Sequence, residues 1–194
     1  MQKLTREDLM SLEQYAVTRP EFRRTVMAHK KPRNIAVGPS VTLHFEDRLI
    51  VQYQVQEMLR VERIFEAAGI QEELEAYNPL IPDGTNFKAT MMVEFPDPEE
   101  RKVELSRLIG IEDVTYVQIG AHARSYAIAD EDLERENDTK TSSVHFLRFE
   151  LSPEMINSAR DGETILVGID HANYRHEVEL GAESRGSLIK DLVN

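Results

Sequence analysis

The chain has 194 residues, 41% of them hydrophobic and 30% charged, with a formal net charge of −12, which is room for one domain with a substantial core. It contains no cysteine, so disulfides, thiolate catalysis, cysteine-held zinc and iron–sulfur clusters ligated by this chain are excluded. No apolar run reaches the length of a bilayer crossing, and MQKLTREDLM lacks the apolar core of a signal peptide, so the expected location is the cytoplasm.

The charge is unevenly spread. Residues 1–33 carry eight basic residues against four acidic ones, which leaves the remainder at −16. Such a body repels nucleic acid and anionic lipid, and neither is expected as a partner. The basic segment itself reads as a positive helical pair lying against a negative body, or as a solvated face.

In chain order, Thr5 and the acids after it open a helix that runs to about Val17, and Pro20 starts a second one that stops before Lys31-Pro32. Ile35 to Val37 and Val41 to Phe45 are short strands around Gly38-Pro39-Ser40. Asp47 caps a long helix through Ala68, closed by Gly69, although residues 48–55 also alternate as a strand would. A short acidic helix, Gln71 to Tyr77, follows.

Phe87 to Phe95 reads as a strand, and Pro98 to Leu108 as a helix. Val114 to Ile119 and Arg124 to Ala129 suggest a hairpin around Gly120. The acidic stretch from Asp130 to Asp138 reads as an exposed, mobile connection. Val144 to Leu151 is a strand, and Ser152-Pro153-Glu154 opens a helix that ends at Asp161-Gly162. Thr164 to Ile169 and Arg175 to Leu180 are strands around Ala172-Asn173-Tyr174, before a terminal helix near Leu188.

Helices mixed irregularly with apparent hairpins argue for the α+β class in a single domain spanning 1–194. The expected architecture is a largely antiparallel sheet packed against a long central helix, with an N-terminal pair of short helices.

Chemistry is expected at two places. On a helical wheel Glu57 falls between Ile50 and Ile64, inside the apolar arc, and an unpaired buried carboxylate must protonate or find a cation. Arg60, three residues on, can reach it. The pair is either structural, with Gln54 completing the hydrogen bonds, or a catalytic pair in which Glu57 acts as base or metal ligand. The second place is Asp170-His171-Ala-Asn-Tyr-Arg-His176. If residues 172–175 form the loop, His171 and His176 face each other across two strands and are candidate metal ligands, a weaker pattern than a helical HExxH. In VHFLRFEL, alternation puts His145 on the side of Leu147 and Phe149, either as a core histidine or as a third metal ligand if that hairpin is its neighbour. His29, His44 and His122 have no partner that the sequence reveals. Dinucleotide and phosphate loops, a GxSxG elbow and HExxH are all missing.

The segments KLTREDLMSLEQYA, AHKKPRNIAVGPSVTLHFED, QVQEMLRVERI, NPLIPDGTNFKATMMVEF, YAIADEDLER, VHFLRFEL and VGIDHANYRHE together resemble the bacterial family known as domain of unknown function 3501, from Leu4 to about Glu177. The resemblance supplies no activity and no catalytic residues. What it implies is context, since such proteins are often encoded beside rubrerythrin-like di-iron proteins and iron–sulfur oxidoreductases. The leading expectation is therefore an accessory protein that binds a partner or a metal ion in a redox or peroxide-handling system. The rivals are a metal-dependent enzyme using iron, manganese or zinc at His171, His176 and Glu57, and an oligomerisation or scaffold module.

Overall fold

The structure, a computed structural model, describes residues 2–133, 135 and 139–193. A 3₁₀ turn at Arg6–Asp8 precedes α1 (Leu12–Lys30), and a second at Lys31–Arg33 leads to β1 (Asn34–Ala36) and β2 (Val41–Phe45). Then come α2 (Arg48–Glu62), α3 (Ala67–Tyr77), β3 (Asn86–Val93), α4 (Pro98–Arg107) and β4 (Thr115–Ile119). The short β5 (Ser125–Tyr126) and β6 (Ile128–Ala129) precede β7 (Val144–Glu150) and α5 (Pro153–Arg160). The hairpin β8 (Ile165–His171) and β9 (Tyr174–Glu179) and the helix α6 (Ala182–Leu188) follow. The α+β class holds, with strands in two antiparallel sheets of order β1-β2-β3-β7-β6 and β5-β4-β8-β9.

Alternation decides which side of each strand is buried. Leu43 and Phe45 of β2, Phe87, Ala89 and Met91 of β3, and Leu147 and Phe149 of β7 point inward and meet Val117, Ile119, Ile165, Val167 and Ile169 of the other sheet in one core. Each fully buried aliphatic or aromatic side chain there contributes roughly 1.5–3 kcal/mol relative to exposure. Leu4, Val51, Val55, Leu59, Leu74 and Ile81 form a second, smaller core among the N-terminal helices. The outer side of β3 meets that helical group, where Thr90 hydrogen-bonds Glu46 at 2.8 Å and Lys88 donates to the Pro79 carbonyl at 2.6 Å.

Two helical expectations need correction. The N-terminal segment is one helix of 19 residues with Pro20 inside it, not a pair. Ser11 and Gln14 form its capping box, while Thr5 caps only the preceding turn. An interior proline costs a helix about 3 kcal/mol. Contacts on both sides of it hold the helix straight through, because Tyr15 and Val26 are both buried and Arg19 is tied to Glu57. The presumed long central helix stops at Glu62, so α2 has 15 residues and is shorter than α1. Arg63 takes the left-handed conformation, φ 57°, and the Ile64 N–H returns to the Leu59 carbonyl at 2.9 Å, a Schellman closure. Gly69 consequently lies inside α3. The buried stripe of α2 is Val51, Val55 and Leu59, whereas Val61 and Phe65, which the wheel placed in the apolar arc, are exposed.

The run from Arg124 to Ala129 is the second arm of the expected hairpin only at its start. Ser125 and Tyr126 pair with β4, while Ile128 and Ala129 pair with β7, so the run is split between the two sheets. The expected mobile acidic connection falls partly on residues 134 and 136–138, outside the described ones.

Candidate functional site

Glu57 is answered by a cation, chiefly from another helix. Arg19 of α1 grips it with Nε at 2.7 Å and Nη2 at 2.8 Å, the Tyr15 hydroxyl donates at 2.7 Å, and Arg60 stands at 3.4 Å. The Arg19 guanidinium above all, followed by the Tyr15 hydrogen bond and Arg60, holds the Glu57 carboxyl down at about 2 against the cost of its burial. Burial and the facing carboxylate push the Tyr15 phenol well above its ordinary value. A carboxylate with this many donors is a strong clasp between α1 and α2 and a weak base.

The hairpin histidines are not brought together. The loop between β8 and β9 has two residues, Ala172 and Asn173, instead of four, so Tyr174 lies opposite His171 and Ile169 lies opposite His176. His171 Nε2 contacts the Ile109 carbonyl at 3.1 Å and its Nδ1 accepts from the Asn173 N–H at 3.2 Å, which makes it a clip for the turn. His176 packs on Tyr174, with ring centroids 4.6 Å apart. Tyr174 donates to the Val37 carbonyl at 2.8 Å and accepts from the Ser40 N–H at 2.9 Å. Gly38, at φ +78°, leaves the space that His176 and Tyr174 occupy, since a Cβ there would lie 2.5 Å from the imidazole. The hairpin therefore docks on the turn between β1 and β2, while Glu57 is held from α1 and α2.

His145 is where acids converge. Its inward position on β7 leaves it 0% exposed. Nδ1 lies 2.6 Å from Asp130 Oδ2, and Nε2 lies 2.9 Å from Thr141 Oγ1, 3.1 Å from the Ser142 carbonyl and 3.7 Å from Glu112 Oε2. Thr141 Oγ1 also donates to Glu112 Oε2 at 3.3 Å. Glu112, Asp130 and His145 each offer a ligand atom within 4.8 Å of the others, the one such group of three among the described residues.

Local structure holds each member in place. Glu112 sits in the turn after α4, which is closed by Ile111 N–H to Leu108 carbonyl and Thr115 N–H to Glu112 carbonyl bonds. Asp130 follows β6 with φ 50°, a left-handed conformation that aspartate tolerates better than most residues. That conformation lets its N–H bond the Phe146 carbonyl at 2.9 Å while its Oδ1 accepts from the Phe146 N–H at 2.9 Å and from Arg135 at 3.1 Å. Thr141 is tied to α4 through its N–H to the Leu105 carbonyl, 3.1 Å.

Of the residues singled out in the sequence, only His145 belongs to this centre. Glu112 and Asp130 were missed because both lie in acid-rich loops that read as surface, although Asp130 directly follows a strand of apolar alternation.

Fold and centre together define a class: an α+β protein of two packed antiparallel sheets with a buried histidine set between two carboxylates. The chain belongs to the family described as protein of unknown function DUF3501, whose model matches residues 3–192. It is similar to a solved structure, a novel protein of unknown function from Burkholderia pseudomallei, with 44% identity over 99% of this chain and 100% of that one and a TM-score of 0.93. No curated protein matches it. The family expected from the sequence motifs is thus the one found. Among the described residues no helix is long and apolar enough to cross a membrane.

Proposed function

We propose that the protein is a metal-binding accessory protein whose divalent ion lies on the Nε2 side of His145, held by Nε2, Glu112, Thr141 and the Ser142 carbonyl. The observation that carries this reading is the concentration of oxygens around one imidazole nitrogen. Ligands of a first-row ion sit about 2.0–2.2 Å from it, so neighbouring donors stand roughly 3–3.5 Å apart. The separations of 3.1 and 3.3 Å here fall inside that range, and those of 2.9 and 3.7 Å lie on either side of it, within the reach of small side-chain shifts.

The contact between Nδ1 and Asp130, 2.6 Å, is too short for two ligands of one ion and is a hydrogen bond. Asp130 then fixes the tautomer that frees Nε2, the usual second partner of a ligating histidine. An N/O donor set of this kind accepts iron, manganese or zinc. Iron or manganese would supply redox chemistry there, and zinc only cohesion. The closure of the centre from solvent favours a structural or sensing ion over one that turns over substrate.

The test is metal analysis of protein purified without chelators or metal-affinity steps. About one equivalent is expected in the wild type, background levels in His145→Ala and Glu112→Gln, and roughly 10–100-fold weaker retention in Asp130→Asn. Wild-type protein that is metal-free, and whose melting temperature is unmoved by Fe(II), Mn(II) or Zn(II), overturns the reading.

For the setting we propose a redox or peroxide-handling system with a rubrerythrin-like or iron–sulfur partner, the context the family resemblance supports. A contact made by so acidic a protein should weaken with salt. Pull-down at native expression that recovers neither kind of partner counts against it.

A further inference from the structure

On the outer side of β7, behind the His145 centre, lies a cavity of about 310 Å³, at the small end of the range for small-molecule sites. Its apolar wall comes from the end of α3, the 3₁₀ turn after it and β7, chiefly Ala76, Tyr77, Leu80 and Phe146. Its polar wall carries four charges: Lys88, Arg148, Glu131 and Asp132. Three of them are neutralised locally. Glu131 holds Arg148 with two bonds of 2.7 Å, Glu150 holds it from the other side, and Asp132 is gripped by Arg135 at 2.5 and 2.6 Å.

Lys88 differs. Its ammonium donates to the Pro79 carbonyl at 2.6 Å, and among the described residues no carboxylate lies within ion-pair distance. Asp83 and Glu131 act on it only across space, opposed by Arg148 and Lys3, and burial is the first cause pulling its pKa down. A half-buried cation beside an apolar wall is best completed by a negative head group carrying an apolar body.

We infer that this cavity binds a small organic monoanion, such as an aliphatic or aromatic carboxylate, with its head on Lys88 Nζ and its body against Leu80, Tyr77 and Phe146. The inference goes beyond metal binding and does not depend on it. The site nevertheless adjoins the centre, because Phe146 faces the cavity from the residue next to His145, and Glu131 faces it from the residue next to Asp130.

The test is titration of full-length ¹⁵N-labelled protein with phenylacetate and hexanoate, and with the uncharged phenylacetamide and hexanamide. The acids are expected to shift the backbone N–H signals of residues 76–78, 80, 88 and 146–148, and the uncharged amides to need at least roughly tenfold higher concentration. Lys88→Met should abolish the preference for the acid at an unchanged or higher melting temperature, and Lys88→Arg should keep it. Ala76→Trp, placed at an exposed position on the rim, should weaken both. Equal binding of acid and amide, shifts that map elsewhere, or no binding at millimolar concentration overturns the proposal, as does a Lys88→Met protein that folds and keeps the preference. Metal content is measured in the same samples, so failure here and failure of the metal reading are told apart.

Discussion

Glu46 shows how one buried carboxyl sets a pH dependence. It is 2% exposed; Oε1 accepts from Thr90, while its Oε2 and Gln54 Oε1 have no hydrogen-bond partner among the described residues. Two acceptors left facing inward fit a protonated Glu46 far better than an ionised one. Burial raises its pKa above the ordinary 4.5, against the lowering effects of Thr90, Lys30 and Gln54. A raised folded-state pKa means that the folded protein binds this proton more tightly than the unfolded chain. Its contribution is therefore fully present below the ordinary pKa and is lost as pH rises through the folded value. Glu46→Gln, which keeps a donor without the titration, should leave stability near pH 4 little changed. At pH 8 it should gain about 1–2 kcal/mol over the wild type, checked by urea unfolding at both pH values.

Among the elements, the short α2 follows from Arg63. A left-handed conformation at a non-glycine residue costs about 1–2 kcal/mol, and the Schellman closure it makes offsets that cost. Arg63→Gly should keep the closure and remove the strain, raising stability by about 0.5–1 kcal/mol and the melting temperature by about 2 °C in a calorimetric scan. The strands β2, β3, β7 and β8 were legible in the sequence because each buries one face and must alternate. The helix ends were not. Gly69 looked like a stop, and the real stop was an arginine held by a backbone geometry that composition does not encode. The hairpin of His171 and His176 was legible as a hairpin, but its loop is two residues shorter than assumed, and that shift moved each histidine to a different cross-strand partner.

At the scale of the whole molecule, two of the basic N-terminal residues are spent on acids far along the chain. Arg19 binds Glu57, and the fully buried Arg33 is bound by Asp191 and by the Phe45 and Glu46 carbonyls, while Arg48 of α2 reaches back to Asp8. Such pairings govern the acid limb of stability. Glu57, lowered to about 2 by Arg19, contributes stability above its unfolded value near 4.5 that is lost as pH falls toward 2. Denaturant unfolding from pH 7 to pH 2.5 should show a decline starting near pH 4.5 that flattens in Glu57→Gln. That variant should be weaker by about 1–3 kcal/mol at pH 7, a range set low because both partners touch solvent.

A helical wheel sees only its own helix, so it could show that Glu57 needs a cation and offered Arg60. The principal partner lies 38 residues upstream and is fixed only when α1 docks. The histidine centre was half legible for a similar reason. Alternation gives the inward side of β7, and nothing local announces that two loops will deliver carboxylates there.

The passage of residues 125–129 from one sheet to the other makes the two layers mechanically inseparable. Tyr126 is stitched into one layer and Ile128 into the other, while the Ala127 N–H is tied to the Thr115 carbonyl at 2.8 Å. Neither layer can peel away without tearing this seam, and the residue just past it is Asp130. Whatever loosens the seam therefore reaches the His145 imidazole before it reaches the rest of the interior, and whatever tightens the imidazole's grip rivets the two layers together.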